Sequence, residues 1–219
     1  MKVSDRLRLK VNDIWESYNE HPFVKGIAYG TLPVDNFRFY MLQDHLYLMQ
    51  YAKVFALGVI KAEKESDMRV FADLIKATLD TENAVHQDYL KRLGITRDMI
   101  DNAEKSLVTE SYTNYMISVS FKEGLAELAS AVLACSWSYK LIGDFMETVP
   151  GSKDHEFYGH WVSTYTSKEF RDSNDVMIDL VDRLTENYTE KQIENLEKIL
   201  VDCSRYEYMF WDMAWNKEM

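Results

Sequence analysis

Three residues with reactive or ionisable side chains stand where the helical spacing of this 219-residue chain calls for apolar ones. Asp44 falls between Met41 and Leu48 on a face that also carries Phe37, Tyr51 and Phe55. Cys135 lies in the stripe Leu128, Val132, Tyr139 and Ile142, and Glu207 interrupts Leu196, Leu200, Cys203, Phe210 and Ala214. A buried carboxylate with nothing to compensate it costs several kcal/mol, so it needs a partner, a ligand or a raised pKa. Two such carboxylates and a thiol, on three separate helical stretches, describe a polar pocket inside a helical bundle. Each residue taken singly has a plainer reading. A cysteine on an apolar face packs as a small hydrophobe, and a carboxylate at a stripe edge can lean into solvent.

Tyrosine is abundant, with 14 residues, and Tyr47, Tyr112, Tyr139, Tyr165 and Tyr206 flank the polar positions. A tyrosine offers a stacking face and a hydroxyl together, which suits a flat and partly polar ring as ligand. A second constellation competes. Glu82 and His86 are one helical turn apart and His45 adjoins Asp44, and carboxylate and histidine ligands from several helices are how di-iron centres are built in bundles. The paired Glu-x-x-His motif of such centres is absent, so no metal is assigned. Cys203 is expected to be a packing residue.

The elements that must position these groups are helices. Three prolines and eight glycines leave few breaks, and no alternating strand pattern, repeat or low-complexity tract occurs. The first helix is expected after Ser4, with a small one led by Pro22 and a long one from about Pro33 to about Glu65. Ser66-Asp67 reads as the cap of the next, which ends at Leu93-Gly94. Thr109 then opens a helix in which Gly124 marks a joint. Pro150-Gly151 is a turn, and two or three helices fill His155 to Met219, the last capped by Thr189. The expectation is one all-α domain over residues 1–219.

Apolar residues make up 47% and charged residues 28% of the chain, an ordinary globular composition. With 25 basic and 36 acidic residues the net charge is −11, and with no basic patch this excludes nucleic acid as the expected partner. No run of roughly 20 apolar residues suggests a membrane span, and MKVSDRLRLKVNDIW lacks the apolar stretch of a secretory signal. Two cysteines make a disulfide scaffold improbable, and the cytoplasm is the default location.

Seven segments resemble, in order, those of the thiaminase II (TenA) family: HPFVKGI from His21, GTLP from Gly30, FYMLQDHLYL from Phe39, SYT from Ser111, LACSWSY from Leu133, WVSTY from Trp161 and YEYMFWDMA from Tyr206. Together they span nearly the whole chain, with the cysteine of the cysteine-bearing branch. The resemblance implies a haem-oxygenase-like helical bundle, assembled as a homotetramer, without metal, haem or other cofactor. It implies hydrolysis at the exocyclic methylene of a 4-amino-2-methylpyrimidine. The substrate would be thiamin or, in thiamin salvage, 4-amino-5-aminomethyl-2-methylpyrimidine, and the product 4-amino-5-hydroxymethyl-2-methylpyrimidine. Carried over by position, Cys135 is the nucleophile, Glu207 the acid/base, and Tyr47 a neighbour that increases the thiol's reactivity. Asp44 would bind the aminopyrimidine edge, Tyr139 and Tyr165 would contact the ring, and Tyr112 and Phe210 would complete the pocket. Lys168-Glu169 departs from the residues usual after the Tyr165 motif. The competing functions are a di-iron oxidase of the same fold and a pyrimidine-binding or regulatory protein without turnover.

Overall fold

A computed structural model gives the backbone of the whole chain and describes the side chains of residues 1–80 and 88–219. Glu82 and His86 therefore lie outside the described residues. Helices supply the regular structure: α1 (Val3–Lys10), α2 (Asn12–Glu20), α3 (Pro22–Ala28), α4 (Val34–Lys61), α5 (Glu65–Lys76), a π-helical turn (Ala77–Glu82), α6 (Asn83–Arg92), α7 (Arg97–Asp101), α8 (Leu107–Lys122), α9 (Leu125–Glu147), α10 (Gly159–Tyr165), α11 (Lys168–Leu184) and α12 (Glu190–Asn216). The all-α expectation is met, and one hydrophobic core unites residues from Leu7 to Ala214.

The centre of the bundle is α9, which packs on α12, α11, α8 and α4. Its most apolar window has a mean hydropathy of 1.2, enough by length and composition for a membrane span, which no run in the sequence was expected to reach. That window is 67% buried against the other helices, so its apolar character is that of a core helix. Gly143 of α9 lets α10 approach closely: a Cβ there would lie 2.6 Å from the Tyr165 carbonyl oxygen. The absence of a side chain thus brings Tyr165 against α9.

Several helix boundaries differ from the sequence expectation, at Ser4, Asp67 and Thr109 with the side chain engaged by a distant partner. Ser4 is buried inside α1, where its amide and hydroxyl both donate to Asp182 at 2.8 Å, and the helix starts before it. The long helix ends at Lys61, and Glu65 begins α5. Asp67 does not cap α5; its carboxylate accepts two hydrogen bonds from Arg183 of α11, at 2.5 and 3.3 Å. Ser106, not Thr109, caps α8, accepting from the Thr109 amide at 3.1 Å. Gly124 separates two helices instead of jointing one, with extended backbone at φ −80°, ψ −176°. The expected signals at Pro22, Gly94 and Thr189 are all found, His21 capping α3 ahead of Pro22 and Gly94 taking φ +65° after α6.

Arg183 is partly exposed, so removing its partner strands little, but Asp67 is 2% exposed and removing the guanidinium strands a buried charge. Arg183→Ala should destabilise the fold by about 2–3 kcal/mol in a urea titration. A loss below about 0.5 kcal/mol would show that solvent reaches Asp67 freely.

Candidate active site

Asp44, Cys135 and Glu207 come from α4, α9 and α12, the helices that cross at the centre of the bundle. Asp44 is 5% exposed, Glu207 is 2% exposed, and Cys135 is half-buried and outside any disulfide. Glu207 shows how closely the three are grouped. Its pKa is raised to about 7: burial raises it most, the Tyr112 hydroxyl and the Cys135 thiol, both facing the carboxylate, offset part of that, and the Asp44 charge adds to it. A carboxyl group poised near neutrality between a thiol and a second carboxylate can accept a proton and return it.

Aromatic rings close around these groups. Tyr47 stacks on Tyr51 at 5.3 Å, leans on Tyr112 at 5.3 Å and meets the Phe210 edge at 5.8 Å. Tyr139 contacts Tyr165 at 4.7 Å and Trp211 at 5.2 Å. All eight residues expected at the site, Asp44, Tyr47, Tyr112, Cys135, Tyr139, Tyr165, Glu207 and Phe210, thus belong to one connected cluster. Tyr165, like Cys135, is only half-buried.

Tyr47 is fully buried, and burial followed by the nearby Cys135 thiol pushes its pKa well above 10. It therefore stays a neutral phenol with a proton to donate at physiological pH. That proton points to the Met116 sulfur at 3.9 Å, a weak acceptor that a better one would displace. Cys203, one turn before Glu207, is fully buried, and burial with the Glu207 charge drives its thiol pKa well above 9. It is a packing residue, as expected.

Three contributors escaped the sequence reading. Tyr40 stands one turn before Asp44, and its hydroxyl lies 3.2 Å from that of Tyr139. Trp211, one turn after Glu207, stacks on Tyr40 at 5.8 Å. Their signal was present, since each is one helical turn from a buried carboxylate. Gln43 carried no such signal. Its amide oxygen accepts from the Ser106 amide and the Thr109 hydroxyl, both at 2.9 Å, and its nitrogen donates to the Glu104 carbonyl at 3.0 Å. These bonds fix the start of α8, and hence Tyr112, beside α4.

Beside the cluster lies a mainly apolar cavity of about 260 Å³ between α4, α5, α9 and α11. None of the eight expected residues lines it, but Val132 and Ser136, on either side of Cys135, do. Among the described residues no group of three or more histidine, cysteine or carboxylate side chains could hold a metal ion.

Glu207 also makes a stability prediction. Its pKa in the folded state is raised, so between about pH 4.5 and pH 7 the native chain holds a proton that the unfolded chain has lost. Stability falls as pH rises through that window, by about 3 kcal/mol at most. Glu207→Gln should therefore melt higher than the unmodified protein at pH 8, with the advantage gone below pH 4.5. Equal melting at both pH values would mean that Glu207 reaches water.

Residues 8–217 match the TENA/THI-4/PQQC family. The chain is similar to the aminopyrimidine aminohydrolase of Helicobacter pylori, 45% identical over 216 residues that cover 99% of this chain and 100% of that one. It is also similar to the aminopyrimidine aminohydrolase of Halalkalibacterium halodurans, 41% identical over 219 residues, covering 100% and 98%. Among solved structures, a TenA homologue from P. horikoshii OT3 superposes with a TM-score of 0.90 at 28% identity, covering 99% of both chains. A domain with a haem oxygenase-like fold from Shewanella denitrificans superposes with a TM-score of 0.76 at 14% identity, covering 97% and 92%. That likeness places the fold in the haem-oxygenase-like class.

Proposed function

Since the chain belongs to the TENA/THI-4/PQQC family, we propose that it is an aminopyrimidine aminohydrolase, replacing the amine of 4-amino-5-aminomethyl-2-methylpyrimidine by hydroxyl, and that it also cleaves thiamin. The observation that carries this reading is the position of Glu207, buried with a pKa near 7 and facing the Cys135 thiol. Simple binding of a pyrimidine needs neither group in that relation.

Glu207 takes the thiol proton, and the thiolate adds to the electron-poor pyrimidine ring. The ring electrons then break the exocyclic carbon–nitrogen bond, whose electron pair leaves on the nitrogen, with Glu207 returning the proton to the departing amine. Water adds to the exocyclic methylene with Glu207 as base, and the thiolate leaves as the ring regains its aromaticity. One hard displacement becomes a series of easier steps. The Tyr47 phenol donates to the thiolate and so favours its formation. Asp44 receives the amino group and the adjacent ring nitrogen and balances the positive charge that protonation of that nitrogen brings. Tyr112, Phe210, Tyr139 and Tyr165 enclose the ring.

The assay is direct. Purified protein incubated with the aminomethyl compound should release ammonia and the hydroxymethylpyrimidine in equal amounts, with no added cofactor. Pyrimidine that binds but persists unchanged would make this a binding protein. We place the enzyme in thiamin salvage in the cytoplasm, as a homotetramer whose association covers the exposed apolar side chains Leu107 and Phe121 of α8.

A further inference from the structure

Two polar groups that the hydrolysis as written does not use lie deep in the bundle beside Tyr139. Tyr40 is fully buried on α4, one turn before Asp44, and its hydroxyl lies 3.2 Å from that of Tyr139. Phe23 at 5.2 Å, Phe37 at 5.7 Å and Trp211 at 5.8 Å hold its ring. Trp161, on α10, is 2% exposed, and its indole N–H is buried with no full hydrogen bond among the described residues. That N–H faces the Tyr40 oxygen. The Tyr89 hydroxyl, 3.0 Å from the Trp161 amide, and the Tyr165 ring at 4.5 Å keep the indole in place. A buried hydroxyl or N–H costs more to desolvate than hydrocarbon of the same shape, so packing alone would favour phenylalanine at both positions.

The chemistry of Trp161, Tyr40, Tyr139 and Asp44 gives the row a direction. An indole N–H can only donate, an ionised carboxylate can only accept, and a phenol does both. Burial, with the Asp44 charge next, raises the Tyr40 pKa well above 10, and the Tyr139 hydroxyl and the Trp161 N–H offset part of that rise. Burial, with Tyr40 and then Asp44 adding to it, raises the Tyr139 pKa in the same way. Each phenol therefore keeps its one proton. With Trp161 donating to the Tyr40 oxygen, the Tyr40 proton turns to Tyr139, and the Tyr139 proton turns to the Asp44 side of the pocket. The reverse order would set the Tyr40 proton against the indole proton and turn the Tyr139 lone pairs toward the Asp44 charge. Hydrogen bonds in such a row polarise one another.

We propose that Trp161 and Tyr40 are positioning residues, which fix the direction of this row so that Tyr139 meets the bound pyrimidine as a hydrogen-bond donor. The assignment rests on the aminohydrolase reading above and adds to it a determinant of specificity at one remove from the ring. A Tyr139 hydroxyl free to turn could offer the ligand either its proton or its lone pairs. A hydroxyl held in one direction offers the proton alone, and so selects a ring that presents an unprotonated nitrogen there. Trp161 and Tyr40 act through Tyr139, and their effect belongs in affinity.

The test is a double-mutant cycle read as affinity for 4-amino-5-hydroxymethyl-2-methylpyrimidine, which titration calorimetry measures whether or not the protein turns over. Tyr139→Phe should weaken binding by about tenfold, and Trp161→Phe by about threefold. In the Tyr139→Phe background, Trp161→Phe should add no further loss, because the row it directs has already lost its last member. Tyr40→Phe takes a single oxygen from a closely packed ring and should behave as Trp161→Phe does. It carries the test alone if the Trp161 variant does not fold. Losses that multiply in the double variants would show that Trp161 and Tyr40 act through packing, and would overturn the assignment. So would an affinity that neither Trp161→Phe nor Tyr40→Phe changes. Binding without turnover would overturn the aminohydrolase reading alone, with the cycle still deciding the direction of the row. An unmodified protein that binds no pyrimidine would overturn both.

Discussion

Cys135→Ser should lower kcat for the aminomethylpyrimidine by at least about 10³-fold while leaving the helical fold and its melting temperature nearly unchanged. A hydroxyl is nearly the size of a thiol but far less acidic, and Glu207 with a pKa near 7 cannot ionise it. The adduct that opens the ring electrons to the leaving group then does not form. Because Cys135 is half-buried, and its neighbour Ser138 bonds its backbone carbonyl and not its sulfur, the exchange leaves the packing of α9 intact. Pyrimidine binding should survive, since the amino edge meets Asp44 and the rings supply the stacking. A variant that turns over within tenfold of the unmodified enzyme would remove the nucleophile from the account.

Glu207→Gln should cost about 10²–10⁴-fold in kcat, the range of a single general acid/base. It should also change the shape of the pH profile. With Glu207 titrating near 7, kcat/KM of the unmodified enzyme should rise with pH through about that value, as the carboxylate that accepts the thiol proton appears. The amide cannot titrate, so the rise should vanish in the variant. Loss of activity with the rise retained would assign the titration to another group. The same substitution that removes activity is the one expected to stabilise the protein at pH 8. A site that holds a destabilising carboxyl group in place for its chemistry behaves in this way.

Much of this was readable in the sequence, and the reasons differ by feature. Asp44, Cys135 and Glu207 stood out because helical periodicity defines a buried face sharply, and a polar residue on it must be explained by something outside its own helix. The resemblance then gathered Tyr112, Tyr139, Tyr165 and Phe210, which spacing alone could not bring together. Helix starts were less legible. Ser4, Asp67 and Thr109 have the chemistry of caps, but their side chains are engaged by Asp182, Arg183 and Gln43, whose proximity only the tertiary fold creates. Tyr40 and Trp211 were hidden by their ordinariness, as aromatics on faces where aromatics belong. The cavity could not be read at all, because its walls come from helices far apart in the chain and, among the described residues, Glu169 alone of its lining is charged.

The most direct measurement is a crystal structure of the Cys135→Ser enzyme with 4-amino-5-aminomethyl-2-methylpyrimidine bound. The ring should lie among Tyr47, Tyr112 and Phe210, with its amino edge on Asp44, the new hydroxyl beneath the ring carbon to be attacked, and the aminomethyl nitrogen within hydrogen-bonding distance of Glu207. A pyrimidine bound away from position 135, or turned so that its leaving amine faces away from Glu207, would contradict the account.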